Sequence, residues 1–241
     1  MPSVRIEVFL EELDAYPPDA VVIGVDVIRS TTTAITSIAS GRRCYVAANL
    51  DEVAHLQPLL EQPLLVGELG GNMPYGFDLN NSPVAIAALG DPGRPAILLS
   101  TSGTRLLRTA SSAHPSTLVA CLRNWEAQAA ELLRMRPADV VLLGAGTRGE
   151  FRDEDQLCCA WIAGPLLDGG YDADDETRRI VDTWRGAPAD AITEGRSARY
   201  LRDSGQLDDL AFILEHVSDL GTTYEMRGNE VVARTGATTR S

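Results

Sequence analysis

The densest run of chemistry-bearing residues is VVIGVDVIRSTTT, positions 21–33. An apolar stretch delivers Asp26 and Arg29, and four consecutive hydroxyl side chains, Ser30, Thr31, Thr32 and Thr33, open a helix-forming segment behind them. Backbone amides and hydroxyls at a helix N-terminus bind anions, and a neighbouring arginine adds a planar, permanently charged fork. One hydroxyl suffices to cap a helix, so four in a row point to a ligand with several oxygens. A second apolar stretch ends in Gly67-Glu68-Leu69-Gly70-Gly71 and a third in Ser100-Thr101-Ser102-Gly103-Thr104-Arg105. Arg105 falls in the first turn of the helix expected there, where a cation opposes the macrodipole and is better explained by a nearby anion. Between these runs, Gly76-Phe77-Asp78-Leu79-Asn80-Asn81-Ser82-Pro83 leaves Asp78 and Asn81 beside Ser82, which suits a helix cap ahead of Pro83.

The carboxylates that end separate apolar runs, Asp26, Glu68 and Asp78, together with the Glu154-Asp155 pair, offer oxygen ligands to a hard cation. Mg²⁺ takes a few carboxylates along with waters and substrate phosphate oxygens, so a scattered acidic set near arginines suits it. Gly144-Ala145-Gly146-Thr147-Arg148-Gly149 matches the Gly-x-Gly-x-x-Gly pattern of dinucleotide sites. Glu150, Asp153, Glu154 and Asp155 follow it at once and would repel a pyrophosphate, and no acidic strand end appears at the ribose-binding position. A nicotinamide or flavin cofactor is therefore not expected.

All 21 basic residues of the 241 are arginine. The absence of lysine excludes Schiff-base catalysis and the P-loop, which ends in Gly-Lys-Ser/Thr. It also excludes haloacid-dehalogenase phosphatase chemistry, whose Asp-x-Asp is replaced here by Asp26-Val27-Ile28. A formal net charge of -13 disfavours nucleic acid, while leaving room for a small anion held by arginines focused in one cleft. Cys44, Cys121, Cys158 and Cys159 lack zinc-type spacing and read as buried thiols. His55, His114 and His216 form no hydrolase triad order with a nucleophile. No apolar run approaches the ~18 residues of a membrane span, and the N-terminus lacks a secretory pattern, so a cytoplasmic protein is expected.

These residues need a scaffold, and the pattern supplies one. Short apolar runs at 4–9, 21–25, 43–46, 64–66, 96–99, 117–121 and 139–143 read as strands, with helices at 31–40, 51–61, 82–89, 103–111 and 124–135. A further helix is expected over 154–167, with Asp153 as N-cap and Gln156 completing a capping box. Beyond it come short helices at 176–184, 197–203 and 207–216, a hairpin turning at Arg227-Gly228-Asn229, and a frayed end over 235–241. The expectation is one α/β domain over 1–241. Its core, 1–168, is a three-layer α/β/α structure around a mostly parallel or mixed sheet, and 169–234 form a helical part ending in the short hairpin.

At these motifs the chain resembles the 2-phosphosulfolactate phosphatase family, Mg²⁺-dependent acid phosphatases of coenzyme M biosynthesis. The carriers are Asp26 to Thr33, Gly67-Glu68, Gly76 to Pro83, Thr101 to Thr104, and Gly144-Ala145-Gly146 through Phe151 to Glu154-Asp155. The family commonly has Ala at Ser30, Gly at Asn80 and Asn at Ser102. The resemblance implies hydrolysis of 2-phospho-3-sulfolactate to 3-sulfolactate and phosphate, with Asp26, Arg29 and Glu68 catalytic. Mg²⁺ would be held by Asp26, Glu68 and Asp155, with Asp78 and Glu154 as further candidates. Substrate would be bound by Ser30, Thr31, Thr32, Thr33, Asn81, Thr101, Ser102, Gly103, Thr104, Arg105 and Gly146. Attack by a metal-bound water and phosphorylation of Asp26 both stay open. The alternatives are a phosphatase for another small anionic phosphomonoester and a noncatalytic anion-binding module. A homodimer is common among metabolic enzymes of this size.

Overall fold

Strand β2, Val21–Val25, is buried on both faces, as an unbroken apolar run requires, and neighbours in the same direction flank it. The computed structural model describes residues 1–146 and 150–234, so Thr147–Gly149 of the glycine run and the end expected to fray lie outside the described residues. Among those described, the other strands are β1 (Ser3–Glu7), β3 (Cys44–Ala47), β4 (Leu64–Gly67), β5 (Ala96–Leu99), β6 (Thr117–Ala120), β7 (Asp139–Gly144), β8 (Tyr224–Arg227) and β9 (Glu230–Ala233). They form one sheet in the order β1-β7-β2-β6-β8-β9-β3-β5-β4.

The pairings fall into two parallel blocks, β1-β7-β2-β6 and β3-β5-β4, joined by the antiparallel hairpin β8–β9. The short hairpin expected at the end of the chain is thus the centre of the sheet. Its three antiparallel junctions also make the two blocks run in opposite senses. Yet the carboxyl ends of β2 and β5 meet, because Ser30 Oγ donates to Ser100 Oγ at 2.7 Å.

Helices cover both faces, giving the expected three layers. One face packs on α1 (Ser30–Ala39), α3 (Pro83–Ala87) and α4 (Gly103–Ala113), through Ile35, Ile86, Leu106 and Leu107. The other packs on α5 (Trp125–Met135), α6 (Asp153–Asp168) and α7 (Asp175–Trp184), with α2 (Leu50–Leu56) over the second block. Two further helices, α8 (Arg196–Asp203) and α9 (Leu207–Glu215), pack on Ile28 just past the end of β2. No helix among the described residues is long and apolar enough to cross a membrane.

Several boundaries differ from the sequence reading. Helix α2 stops at Leu56 and continues as a 3₁₀ turn, Gln57–Leu59, because Pro58 cannot donate the next backbone bond. Strand β1 ends at Glu7, and Phe9 instead starts a 3₁₀ turn, Leu10–Ala15. In α6 the N-cap is Arg152 and Asp153 is already helical; Gln156 accepts from Trp184 Nε1 rather than closing a capping box. The four cysteines are buried. Burial pushes the Cys44 thiol up to about 12 and Cys121 up to about 11, which removes thiolate chemistry at neutral pH.

Candidate active site

Asp26 follows the last residue of β2 and is almost fully buried. Its carboxylate accepts from Ser30 Oγ at 2.9 Å and Ser30 N at 3.3 Å, both at the first position of α1. Gly103, first residue of α4, packs directly on it: a Cβ at that position would overlap Oδ2 and lie 2.8 Å from the Asp26 Cβ and Cγ. From α6, Asp155 Oδ1 accepts the Val27 amide at 2.8 Å. The N-termini of α1 and α4 therefore meet at the Asp26 carboxylate, and that of α6 borders the same cleft of about 580 Å³. Helix N-termini carry positive potential, so a pocket ringed by three of them favours anions.

Of the residues read from the sequence, Asp26, Arg29, Ser30, Glu68, Asn81, Thr101, Ser102, Arg105, Gly146 and Asp155 line the cleft. Glu68 is held by its own loop and the next one, accepting from Gly71 N (2.7 Å), Thr101 N (2.8 Å) and Thr101 Oγ1 (2.9 Å). Its position depends on Gly67, where a Cβ would strike the Leu99 carbonyl and φ is 154°. Asn81 donates to Ser30 Oγ at 3.3 Å. Arg105 is exposed and makes no hydrogen bond or ion pair among the described residues.

Other expected residues point elsewhere. Thr31 Oγ1 donates to the Asp26 carbonyl and Thr32 Oγ1 to the Val27 carbonyl, each at 2.8 Å, and Thr33 Oγ1 is buried without a partner among the described residues. The Thr104 hydroxyl bonds Ser100 backbone. Thr31, Thr32 and Thr104 brace the strand-to-helix turns with their side chains. Asp78 is remote from the cleft: it accepts the Leu65 amide at 2.8 Å and lies 3.9 Å from Arg94. Glu154 is buried, and its Oε2 has no hydrogen-bond partner among the described residues.

Sequence reasoning missed one wall of the cleft. Arg196, Ser197, Tyr200 and Leu201 come from α8, Val8 and Phe9 from the link after β1, and Leu10 and Glu11 from the 3₁₀ segment. Tyr200 donates to the Gly71 carbonyl at 2.7 Å, latching α8 onto the Glu68 loop. Arg152 also lines the cleft, beside Glu150, which pairs with Arg196. Position 196 shows only an arginine opening an amphipathic helix, a pattern common to solvated surfaces.

The acidic groups repel one another. Asp26 is pushed up to about 6 by burial, against the hydrogen bonds from Ser30, with the charge of Glu68 adding to the rise. Glu154 is pushed up to about 7 by burial, and Asp155 lies well above the usual carboxylate range through burial and the charges of Glu154 and Asp26. All are oxygen donors, and Glu154 keeps an unpaired buried oxygen, which is the donor chemistry of a hard cation. Among the described residues, no group of three or more acidic, histidine or cysteine side chains is placed to hold a metal ion.

Gly103→Ala tests the close approach at Asp26. The new methyl must displace the carboxylate, and a shift of this size costs about 10²-fold in turnover where geometry sets the rate. The expected result is that loss in kcat with a helix content unchanged by circular dichroism.

Comparison with known proteins identifies a family. The family model described as 2-phosphosulpholactate phosphatase matches residues 9–220. A protein of Synechococcus sp. (strain CC9605), named probable 2-phosphosulfolactate phosphatase, is 36% identical over 175 residues, covering 70% of this chain and 71% of that one. One of the same name from Deinococcus radiodurans is 30% identical over 203 residues, 83% and 84% of the two chains. Another, from Carboxydothermus hydrogenoformans, reaches 40% over 152 residues, 62% of each. The matched span runs from Phe9, which caps the 3₁₀ segment, to Leu220, four positions before the central hairpin begins, and the chain belongs to the 2-phosphosulfolactate phosphatase family.

Proposed function

We propose that this chain hydrolyses the phosphate ester of a small, highly anionic acid, with 2-phospho-3-sulfolactate as the leading substrate and coenzyme M biosynthesis as its setting. The observation that carries the reading is the convergence of three helix N-termini and four arginines, Arg29, Arg105, Arg152 and Arg196, on one cleft of a chain whose net charge is -13. Such focusing lets an acidic protein hold an anion.

In this reading the α1 and α4 N-termini and Arg29 take the phosphoryl oxygens, while Ser102 and Arg105 take the carboxylate or sulfonate. Arg196 and Tyr200 close the far side against water. Asp26 and Asp155, with Glu68 at the edge, would hold Mg²⁺. When bound, the ion would neutralise phosphoryl charge and lower the pKa of a coordinated water. Ser30 orients Asp26 through both its amide and its hydroxyl.

The test is phosphate release from phosphosulfolactate, phospholactate, phosphoglycerate and nitrophenyl phosphate, with Mg²⁺ and with EDTA. Turnover of phosphosulfolactate that needs Mg²⁺ is expected. No turnover of any ester with the metal present would sink the phosphatase reading; activity surviving EDTA would remove the metal alone.

A stability measurement checks the cation separately. Carboxyls whose folded-state pKa is raised favour the folded chain below their ordinary pKa near 4, and that contribution is lost as pH rises through about 6 to 7. EDTA-treated protein should therefore melt lower at pH 8 than at pH 5. At 100 times its Kd a cation adds about 2.7 kcal/mol, or roughly 5–10 °C for a chain of this size, and should do so at pH 8 far more than at pH 5. A melting temperature at pH 8 indifferent to Mg²⁺ would count against the site.

A further inference from the structure

Arg29 is buried to 95%, yet it lines the cleft. Its Nη1 donates to Asp209 Oδ2 and to Gln206 Oε1, both at 2.5 Å, while its other N–H groups make no hydrogen bond among the described residues. Both acceptors come from the start of α9 and the residue before it, 177 and 180 positions along the chain. Asp209 is itself buried, and its Oδ1 accepts Ser82 Oγ at 2.6 Å and Val84 N at 3.4 Å. Gln206 Oε1 also accepts Asn80 Nδ2 at 3.0 Å. The carboxylate is therefore fixed by α3 on one side and grips a single nitrogen of the guanidinium on the other. A planar fork held at one tip keeps its remaining donors in a set direction.

We infer that Asp209, assisted by Gln206, is the positioning residue for Arg29, orienting the free edge of its guanidinium toward the phosphoryl group in the cleft. This rests on the phosphatase reading above and adds to it a role for the C-terminal part of the chain. A charged side chain left half-paired in a buried site would otherwise rotate onto the carboxylates beside it, Asp26 foremost. Asp209 satisfies one end and leaves the other for the ligand.

The experiment is a double-mutant cycle on the full chain: Arg29→Gln, Asp209→Asn and the two combined, assayed well below the melting temperature of each. The readouts are kcat and KM on nitrophenyl phosphate and calorimetric binding of inorganic phosphate. Arg29→Gln is expected to lose roughly 10³-fold in kcat/KM. Asp209→Asn should lose roughly 10- to 100-fold, as partners that orient a functional group do. The double variant should match Arg29→Gln alone, since Asp209 acts through Arg29. Multiplied losses would make Asp209 a structural bolt for α9 and overturn the inference, as would full activity of Asp209→Asn or of Arg29→Gln. Should Asp209→Asn fail to fold, Gln206→Leu replaces it, because that change leaves the Ser82 and Val84 bonds intact. Its smaller loss must likewise vanish beside Arg29→Gln. If the wild-type chain hydrolyses no ester, the phosphatase reading fails on its own, and the phosphate-binding arm of the cycle still decides the pairing.

Discussion

Asp26→Asn is expected to lower phosphate release by at least roughly 10³-fold while leaving the chain folded. The change is nearly isosteric. An Asn carbonyl oxygen still accepts from Ser30, and the side chain still fits beneath Gly103, where the backbone approaches too closely for anything larger. What disappears is the negative charge on the group at which the N-termini of α1 and α4 meet, and with it either a cation ligand or a phosphoryl acceptor. Stability should move the other way. The carboxyl is raised to about 6 chiefly by burial, so at pH 8 its ionised form opposes folding when no cation is bound, and removing the charge relieves up to about 3 kcal/mol. The signature is thus an inactive variant whose metal-free melting temperature at pH 8 equals or exceeds that of the wild type. A folded variant with full turnover would reduce Asp26 to a structural residue.

The contrast between activity and stability also explains which parts of the site were legible in the sequence. Strand-end positions could be read because an apolar run followed by polar residues has one meaning in an α/β sheet, and Asp26, Glu68, Thr101, Ser102 and Arg105 all reached the cleft on that argument. Side-chain direction could not be read. Thr31 and Thr32 follow Ser30 directly, but a helix turns about 100° per residue, so consecutive hydroxyls cannot share a ligand, and these two turn back onto carbonyls of the preceding strand end. Asp78 looked equivalent to Asp26 by spacing. Its carboxylate instead reaches the Leu65 amide on β4, and an edge strand offers such a free donor while β2, flanked on both sides, does not.

Contacts made over long sequence separation were beyond the pattern altogether. Asp209 reads as an ordinary acid in the first turn of a helix, where it complements the macrodipole; nothing nearby signals burial against Arg29. The same holds for Tyr200 on the Gly71 carbonyl. Glycine positions were more informative in retrospect. Gly67 and Gly103 are required by backbone approach on either side of the cleft, and each immediately precedes or touches a carboxylate that lines it.

Ending the chain after Gly221 is expected to abolish folding, although it removes only the hairpin and the residues after it. The turn at Gly228-Asn229 and the alternation around it announce β8 and β9, but the partners of a strand are set by topology and not by its own residues. Here those partners are β6 and β3, the inner edges of the two parallel blocks. Without the hairpin, two strands that are central in the sheet become bare edges, and the blocks stay connected through the helices α1 and α4, which touch both. Tyr224, Met226 and Val231 are buried in the core beneath those helices. At about 1.5–3 kcal/mol for each buried side chain, their loss removes roughly 5–9 kcal/mol, comparable with the whole stability of a typical domain. The truncated chain should be insoluble or lack a cooperative melt. The point variant Val231→Asp, which forces a charge between β8 and β3, should approach the same state while keeping full length. A truncated chain that still melted cooperatively would mean that the helices alone can hold the two blocks, and that the hairpin fills a gap in a scaffold already formed.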